Sequence, residues 1–348
     1  MNYKSLYDIS WKVDEPTYRD DPALSYSTIA RFDREGFEKI DQLFEKISTP
    51  SLIFGSAVDT LITGTPEEFQ NRFTVAELPH ISPSIQVIVH HLYDMFGELY
   101  STLEMIPQES IEAVILEANY QPRWSMPKKV EYVIEGAPYY SFLVNSKGKE
   151  VLSMQLYQEV ERAVLALRYS EATQWYFKKT DEPNLERLYQ VKFKATLNGI
   201  DYRIMADELI VDHETKKIIP IDLKTSSHKE FDFYKSFVKW KYYMQAILYS
   251  RVIKSVCSND EYFKDFEILP YRFIVVNKES CTPLVWEFNI PNTLGTIVTG
   301  KNCCIEMHDP EFVGRELYQY LQEKPKVPHG INLTGNNNIM CWLENYEN

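Results

Sequence analysis

The sequence lacks any continuous apolar stretch of the length that crosses a membrane, about 18 residues or more. Its first residues, 1–8, contain no apolar segment of the kind that directs secretion. The five cysteines are odd in number and follow no CxxC or zinc-finger spacing. We therefore expect reduced thiols in a cytoplasmic protein, and the membrane, secreted and disulfide-rich classes are set aside.

An excess of positive charge is also absent, because 37 Lys and Arg residues stand against 50 Asp and Glu residues, a net charge of −13. This balance argues against a generally adhesive polycation, but a local basic groove on an acidic body is compatible with a nucleic-acid enzyme. The 348 residues allow about two domains or one enlarged core. With 44% hydrophobic residues and 48 Phe, Trp and Tyr side chains, the composition is globular and leaves rings available for stacking.

The first half of the chain is mostly helical in pattern. A helix start near residue 27 has Ser27 as its N-cap, and 50–63 is predicted to be a short buried helix. Apolar residues recur at helical spacing through 83–119 and 151–178. The intervening segment 120–150 contains proline and glycine among aromatics, so loops with room for a short hairpin are predicted there.

From about residue 185 the apolar period changes to that of strands. Two alternating segments meet at Asn198-Gly199, a dipeptide typical of hairpin turns. The predicted strands are 189–197, 200–211, 217–225, 271–276 and 284–288, and the predicted helices are 230–254, 292–307 and 310–323. This order predicts an α/β (α+β) fold with a mixed central sheet flanked by helices.

The strongest candidate for chemistry is Asp207 together with Asp222 and Lys224, near the ends of adjacent predicted strands. Residues two apart on a strand point to the same face, so Asp222 and Lys224 enter one pocket. Converging carboxylates suit a hard cation such as Mg²⁺, and a Lys can orient water or stabilise charge on a phosphate. An isolated Asp-x-Lys is more often a surface ion pair worth under about 1 kcal/mol. The apolar run 218–221 predicts burial, where ionised groups must pair or coordinate.

Two further elements carry polar residues in apolar surroundings. Gln245 and Tyr249 are one helical turn apart and share a face with Tyr242. A Gln amide can donate to a phosphate or accept from a water that a Tyr positions; alternatively, Tyr249 is core and Gln245 a satisfied polar residue. Asp59 lies one turn after Gly55 in an apolar helix, so it faces a cleft, caps the helix or pairs with a buried cation.

Asp207, Asp222-Leu-Lys224-Thr225 and Gln245-x-x-x-Tyr249 together resemble the PD-(D/E)xK nuclease superfamily, in its RecB-like branch with a QxxxY motif. The greatest similarity is to phage and prophage RecE-type exonucleases (exonuclease VIII-like). The segment 24–29 is similar to that branch's S-x-S-x-[LI] helix start, and 54–69 to its G-x-x-x-H…P-x-x-F segment. The resemblance implies a restriction-endonuclease-like core with a helical N-terminal elaboration.

The sequence departs from this branch at two positions. Asp59 stands where the branch has a metal-binding His, so the site either persists with an altered metal preference or is impaired. Many RecB-like relatives carry a Glu on the strand before the first Asp, and the best match here is Gln190.

The resemblance implies hydrolysis of DNA phosphodiesters with one or two Mg²⁺ or Mn²⁺ ions. Their ligands would be Asp207, Asp222, the Leu223 carbonyl and Asp59, with Lys224, Gln245 and Tyr249 assisting. RecE-like relatives degrade one strand of duplex DNA from a 5′ end, leave a 3′ single strand for an annealing partner, and form rings. We therefore expect a homo-oligomeric exonuclease of phage-type DNA recombination or repair, in a bacterial cytoplasm.

Several basic residues are candidates for phosphate contacts, although each taken singly is more often a solvated charge. They are Lys192, Lys194, Arg203, Lys235, Lys239 and Lys241.

We expect one compact unit with a helix-rich region at 1–183 that contributes Asp59, a nuclease core at 184–290 and C-terminal helices at 291–348. Two alternatives stay open. A RecB-like or CRISPR-associated nuclease with an iron–sulfur cluster requires a three-cysteine cluster that Cys303, Cys304 and Cys341 do not supply. A DNA-end-binding or assembly protein on a degenerated nuclease fold is supported only by Asp59.

Overall fold

The computed structural model describes residues 3–44, 49–77, 79–177, 182–292, 296–298 and 304–323. The strands are β1 (Phe73–Val75), β2 (Glu150–Leu152), β3 (Leu185–Leu197), β4 (Ile200–Asp212), β5 (Lys217–Ser226), β6 (Glu267–Ile268), β7 (Tyr271–Asn277), β8 (Leu284–Phe288), β9 (Thr296–Val298) and β10 (Cys304–Glu306). The α-helices are α1 (Glu15–Asp20), α2 (Tyr26–Glu35), α3 (Pro50–Thr63), α4 (Pro66–Arg72), α5 (Pro83–Phe96), α6 (Gln108–Glu117), α7 (Met126–Ile134), α8 (Ala137–Ser146), α9 (Met154–Tyr169), α10 (Gln174–Phe177), α11 (Phe233–Lys239), α12 (Tyr242–Ser258) and α13 (Pro310–Glu323). Within these ranges, none of the helices has the length and apolar character needed to cross a bilayer.

The central sheet has the order β3-β4-β5-β7-β8. The short β6 also pairs with β5, on the same edge as β7. Strands β3, β4 and β5 are antiparallel, β5 and β7 are parallel, and β8 returns antiparallel to β7. The parallel step requires a crossover, which α11 and α12 provide. The predicted mixed sheet flanked by helices is therefore confirmed.

Helices cover both faces of this sheet. One face packs against α2, α12 and α13, in a core that includes Tyr202, Ile204 and Phe273. The other face packs against α3 and α9, with Ile219 and Ile274 from the sheet. Burying each such side chain stabilises the fold by about 1.5–3 kcal/mol, so the sheet is held rigidly from both sides.

The helical part of the chain differs from the prediction at 120–150. That segment forms α7 and α8, because Pro127 and Pro138 occupy the first turn of each helix, where proline needs no hydrogen-bond partner. Helices α5 to α8 surround a hydrophobic core of their own. The N-cap of α2 is Ser25 and not Ser27: the hydroxyl of Ser25 accepts from the N–H of Thr28 at 3.3 Å.

Two other predicted helices also differ. The helix expected over 230–254 is divided into α11 and α12 by Lys241, whose left-handed backbone has φ 57°. In 292–307 the described parts are β9 and β10, which pair antiparallel, so the predicted helix is wrong; Thr296–Val298 is rich in β-branched residues that favour strands. The predicted helix at 310–323 is confirmed as α13. Residues 324–348, and with them Cys341, lie outside the described residues, as does Cys303.

A buried carboxylate, Glu230, fixes the turn that leads into α11. Only 1% of its surface is exposed, and its oxygens accept from the N–H groups of Asn277 (3.1 Å) and Thr282 (2.9 Å) and from the hydroxyl of Ser280 (2.7 Å). Its main-chain carbonyl accepts from the indole of Trp286 at 2.8 Å. The pKa of Glu230 lies below its usual value, because these donors outweigh the effect of burial.

We expect Glu230→Ala to lower the free energy of unfolding by about 3 kcal/mol, since buried donors lose their acceptor. Denaturant unfolding of the full chain measures the change. Glu279→Ala removes an exposed carboxylate from the loop after β7, which supplies the donors to Glu230, and should change stability by less than about 0.5 kcal/mol. Equal effects of the two substitutions would contradict the assigned role of Glu230.

Candidate active site

Strands β4 and β5 bring Asp207 and Asp222 to adjacent positions in the middle of the sheet. Asp222 is 1% exposed, and Lys224, two residues later on the same face, places its Nζ 2.5 Å from the Asp222 Oδ2. The main-chain N–H of Leu223 donates to the Asp207 Oδ2 at 2.9 Å. The strand period therefore brings the carboxylate and ammonium together, as the sequence predicted.

The strand carrying Asp207 is irregular at that residue. Ala206 and Leu209 both lie in the core beneath α12, although residues three apart point to opposite faces of a regular strand. The alternation of β4 side chains between the two faces of the sheet therefore shifts at Asp207. The β3–β4 register skips Asp207 and Gln190, which both fall between the pairs Tyr189–Glu208 and Val191–Ala206, and Gln190 has a left-handed backbone, with φ 51°. Such backbone conformations cost about 1–3 kcal/mol and tend to occur at functional sites.

Helix α3 delivers Asp59 to this part of the sheet. The helix approaches β5 closely at Gly55, where a Cβ atom would lie only 2.8 Å from the Thr225 Oγ1. One turn later, both oxygens of Asp59 accept from the Gln190 amide, at 3.1 and 2.9 Å. The partner of Asp59 in this contact is an amide, so the alternative of a direct buried pair with Lys or Arg is not what the structure shows.

The three carboxylates Asp59, Asp207 and Asp222, called the carboxylate cluster below, lie within electrostatic reach of one another. Burial, followed by the charge of Asp222, raises the pKa of Asp59 to about 7. Burial and the charges of Asp222 and Asp59 raise the pKa of Asp207 well above its usual value. Burial disfavours the ammonium of Lys224, but the negative charge of Asp222 outweighs it and the pKa of Lys224 is raised. The cluster therefore places three acidic groups beside one ammonium, and Asp59 and Asp207 hold protons more tightly than usual unless a further cation binds.

Helix α12 contributes Gln245 and two aromatic residues. The Gln245 amide donates to the Asp222 Oδ1, so this residue touches the carboxylate cluster directly. The Lys224 Nζ lies 4.6 Å from the centre of the Tyr242 ring. Tyr249 is 8% exposed and packs edge-on against Tyr271, so it belongs to the hydrophobic core below the cluster. A catalytic role for Tyr249 stays a prediction.

Some of the predicted phosphate-binding residues are held by the N-terminal segment. Lys192 donates to the carbonyl of Val13 at 3.0 Å, Lys194 pairs with Asp21 at 2.8 Å, and Arg203 donates to the main-chain carbonyl of Asp21.

The remaining three lie at or just after α11. Lys241 pairs with Asp33 and Lys235 with Asp232, whereas Lys239 is exposed and lies against the Trp240 ring. Contact of any of the six with DNA stays a prediction.

The chemistry of the cluster suits a divalent cation, since it offers carboxylate oxygens in excess of positive charge. In the part of the chain that the structure describes, however, no three His, Cys, Asp or Glu side chains are spaced to hold a metal ion together. The Asp222 oxygens face Lys224 and Gln245, and both Asp59 oxygens face Gln190. Binding of Mg²⁺ or Mn²⁺ by Asp59, Asp207, Asp222 and the Leu223 carbonyl stays a prediction.

Sequence reasoning missed two contacts at this site. The hydroxyl of Tyr26 donates to the carbonyl of Trp240 at 2.6 Å, and its ring lies 6.4 Å from that of Tyr242. Gln190 was noted as the match to a family Glu, but its contact with Asp59 joins residues 131 positions apart. The available signal was the break in apolar alternation on either side of Asp207.

No family model matches the chain, and no curated protein does either. Among solved structures, the chain is similar to a crystal structure from Eubacterium rectale described as a "putative exonuclease". The two share 13% sequence identity with a TM-score of 0.40, over 90% of this chain and 85% of the other. Similarity at this level does not assign a function.

The close approach of α3 to β5 predicts energetic coupling between Gly55 and Thr225. We expect Gly55→Ala to lower the free energy of unfolding in the parent, where Thr225 is present. In a Thr225→Ala background, where the clashing hydroxyl is gone, the same substitution should lower it by about 1 kcal/mol less. Denaturant unfolding of the parent, both single variants and the double variant gives this coupling, and the cycle cancels the helix propensity of alanine. Additive changes would show that the helix does not approach the strand at this point.

Proposed function

We propose that the protein is a metal-dependent deoxyribonuclease that hydrolyses phosphodiester bonds of linear duplex DNA. The observation that carries the proposal is the carboxylate cluster beside Lys224, in which burial and the nearby charge of Asp222 raise the pKa of Asp59 and of Asp207 in the middle of the sheet. Surface ion pairs do not produce such crowding, and perturbed carboxylates of this kind are typical of functional sites.

The residues at the cluster would have three roles: metal binding, stabilisation of phosphate charge and positioning of a carboxylate. Asp207 and Asp222, with Asp59 and the Leu223 carbonyl, would hold Mg²⁺ or Mn²⁺, which when bound supplies an activated water and neutralises phosphate charge. Lys224 carries its positive charge beside Asp222, where it can stabilise charge developing on the phosphate. Gln245 holds the orientation of Asp222.

The exonucleolytic mode, the 5′-to-3′ direction and the role in phage-type recombination or repair rest on the family resemblance alone. The same holds for a ring-shaped homo-oligomer, a single-strand annealing partner and a location in the bacterial cytoplasm. Duplex DNA labelled at either end, compared with closed circular DNA, tests the mode and direction together in the presence of Mg²⁺.

We expect Asp207→Asn and Asp222→Asn each to reduce cleavage by about a hundredfold or more, because each removes a charged oxygen from the cluster without changing its shape. Digestion of end-labelled linear duplex with Mg²⁺ or Mn²⁺ measures the loss, and circular dichroism checks the fold. Asp201→Asn, at an exposed position on the same strand as Asp207, should cleave like the parent.

Unchanged cleavage by the folded Asp207 and Asp222 variants would refute the site. A parent protein that binds DNA ends but cleaves with neither metal would instead favour the non-enzymatic alternative.

We expect Asp59→His to retain or increase cleavage, since one imidazole nitrogen restores the ligand of the relatives and the other ring N–H can donate to the Gln190 side-chain oxygen. Asp59→Leu, which cannot bind a metal, should lose activity. The comparison is a titration of the cleavage rate against Mg²⁺ and Mn²⁺ for the two variants and the parent. Complete loss in a folded Asp59→His variant would show that Asp59 has a role the resemblance does not describe.

A further inference from the structure

One exposed surface beside the site combines aromatic rings with cations. It consists of Phe231, Tyr234, Lys235, Lys239 and Trp240, together with Arg34 from α2, and is called the aromatic–basic face below. Phe231 is 62% exposed, Tyr234 45% and Trp240 39%. Phe233 and Ser236, on the opposite side of α11, are buried, so the rings project away from the core.

Lys235 pairs with Asp232 at 3.2 Å, whereas the other two cations of this face, Arg34 and Lys239, keep their charge available. The Arg34 guanidinium lies 5.1 Å and the Lys239 Nζ 4.7 Å from the centre of the Trp240 ring. Within the described residues, neither side chain forms an ion pair, whereas the neighbouring Lys224 and Lys241 are bound to carboxylates. A ring holds a cation in place without cancelling its charge, so Arg34 and Lys239 remain able to attract an anion.

The aromatic–basic face adjoins the carboxylate cluster. Tyr26 bonds to the main chain of Trp240 and packs against Tyr242, the ring that contacts Lys224. Burial raises the pKa of both Tyr26 and Tyr242, and the positive charge of Arg34 partly opposes that rise in each, so Arg34 lies within electrostatic range of both rings. Tyr26 and Tyr242 therefore link the aromatic–basic face to Lys224.

We propose that the aromatic–basic face binds a single strand of DNA. Exposed rings can stack only on unpaired bases, since the bases of a duplex are stacked on each other, and cations beside the rings follow the phosphates. On a chain with net charge −13, such a local concentration of unneutralised cations and rings is suited to a polyanion with aromatic bases. The inference rests on the proposed function for what the bound strand is used for, but the binding can be measured without cleavage.

The test is fluorescence anisotropy of labelled oligothymidine and of a blunt duplex of equal length, with the full chain in EDTA so that no cleavage occurs. We expect the double variant Phe231→Ala/Tyr234→Ala to bind oligothymidine about tenfold or more weakly, with a much smaller change for the duplex. The control Tyr169→Ala/Phe312→Ala removes a Tyr and a Phe that are 75% and 42% exposed elsewhere, and should bind like the parent.

Charge is tested by Arg34→Ala/Lys239→Ala against Arg123→Ala/Lys149→Ala, which removes an exposed Arg and Lys elsewhere for the same change in net charge. We expect only the first to weaken oligothymidine binding by about tenfold and to reduce the slope of log affinity against log salt by about 1.4. If either face variant binds like its control, or the aromatic variant weakens duplex and single strand equally, the inference is overturned.

Failure of this inference can be told apart from failure of the proposed function. Cleavage is measured separately on the same preparations with Mg²⁺. Single-strand binding that depends on the face, in a protein that cleaves nothing, would sustain the inference and remove the nuclease proposal. Metal-dependent cleavage, in a protein whose single-strand binding is unchanged by substitutions in the aromatic–basic face, would sustain the nuclease proposal and overturn the inference.

Discussion

The close approach of helix α3 to strand β5 is the constraint on which the candidate site depends. Without a side chain at Gly55 the helix comes near enough to Thr225 for Asp59, one turn later, to reach the Gln190 amide, in the same register gap as Asp207. A helix lying farther from the sheet would leave Asp59 remote from the other two carboxylates, and its pKa would not be raised by the charge of Asp222. The composition of the cluster is therefore set by a packing distance as much as by the acidic residues themselves.

The side chains that contact the three carboxylates include one cation, Lys224, and two neutral amides. Lys224 is the cation that touches the cluster, and Gln190 and Gln245 supply amides where a buried site could have held further cations. Neutral donors satisfy hydrogen bonds but leave the negative charge uncompensated, which favours a bound cation and disfavours an anion arriving without one. The nearby cations Arg34 and Lys239 lie against the Trp240 ring and not against the carboxylates.

The sequence predicts the sheet well and the helical region less well, for physical reasons. The hairpin at Asn198-Gly199 and strand β8 follow from local alternation and turn chemistry, which a single segment contains. Pro127 and Pro138 were interpreted as loop signals because proline opens helices as readily as it ends them, and only the packing of α5 to α8 decides between the two. Asp222 and Lys224 share a face by period alone. The meeting of Asp59 with Gln190 depends on how α3 sits on the sheet, and no local pattern contains that information.

The chain between Lys224 and Tyr242 connects these features. It leaves the sheet at the end of β5, is fixed at Glu230 by donors from the loop after β7, presents Phe231 and Tyr234 outward, and returns so that Tyr242 covers Lys224. The left-handed Lys241 makes the return possible, because the chain turns from α11 into α12 within two residues and Trp240 is placed beside Tyr26. Since both ends of this segment are anchored at the site, its outward rings are held at a fixed distance from Lys224. Under the proposed function, a strand bound to these rings would have its phosphate positioned by that fixed distance, because orientation contributes to the rate only when the binding surface and the reacting groups move as one body.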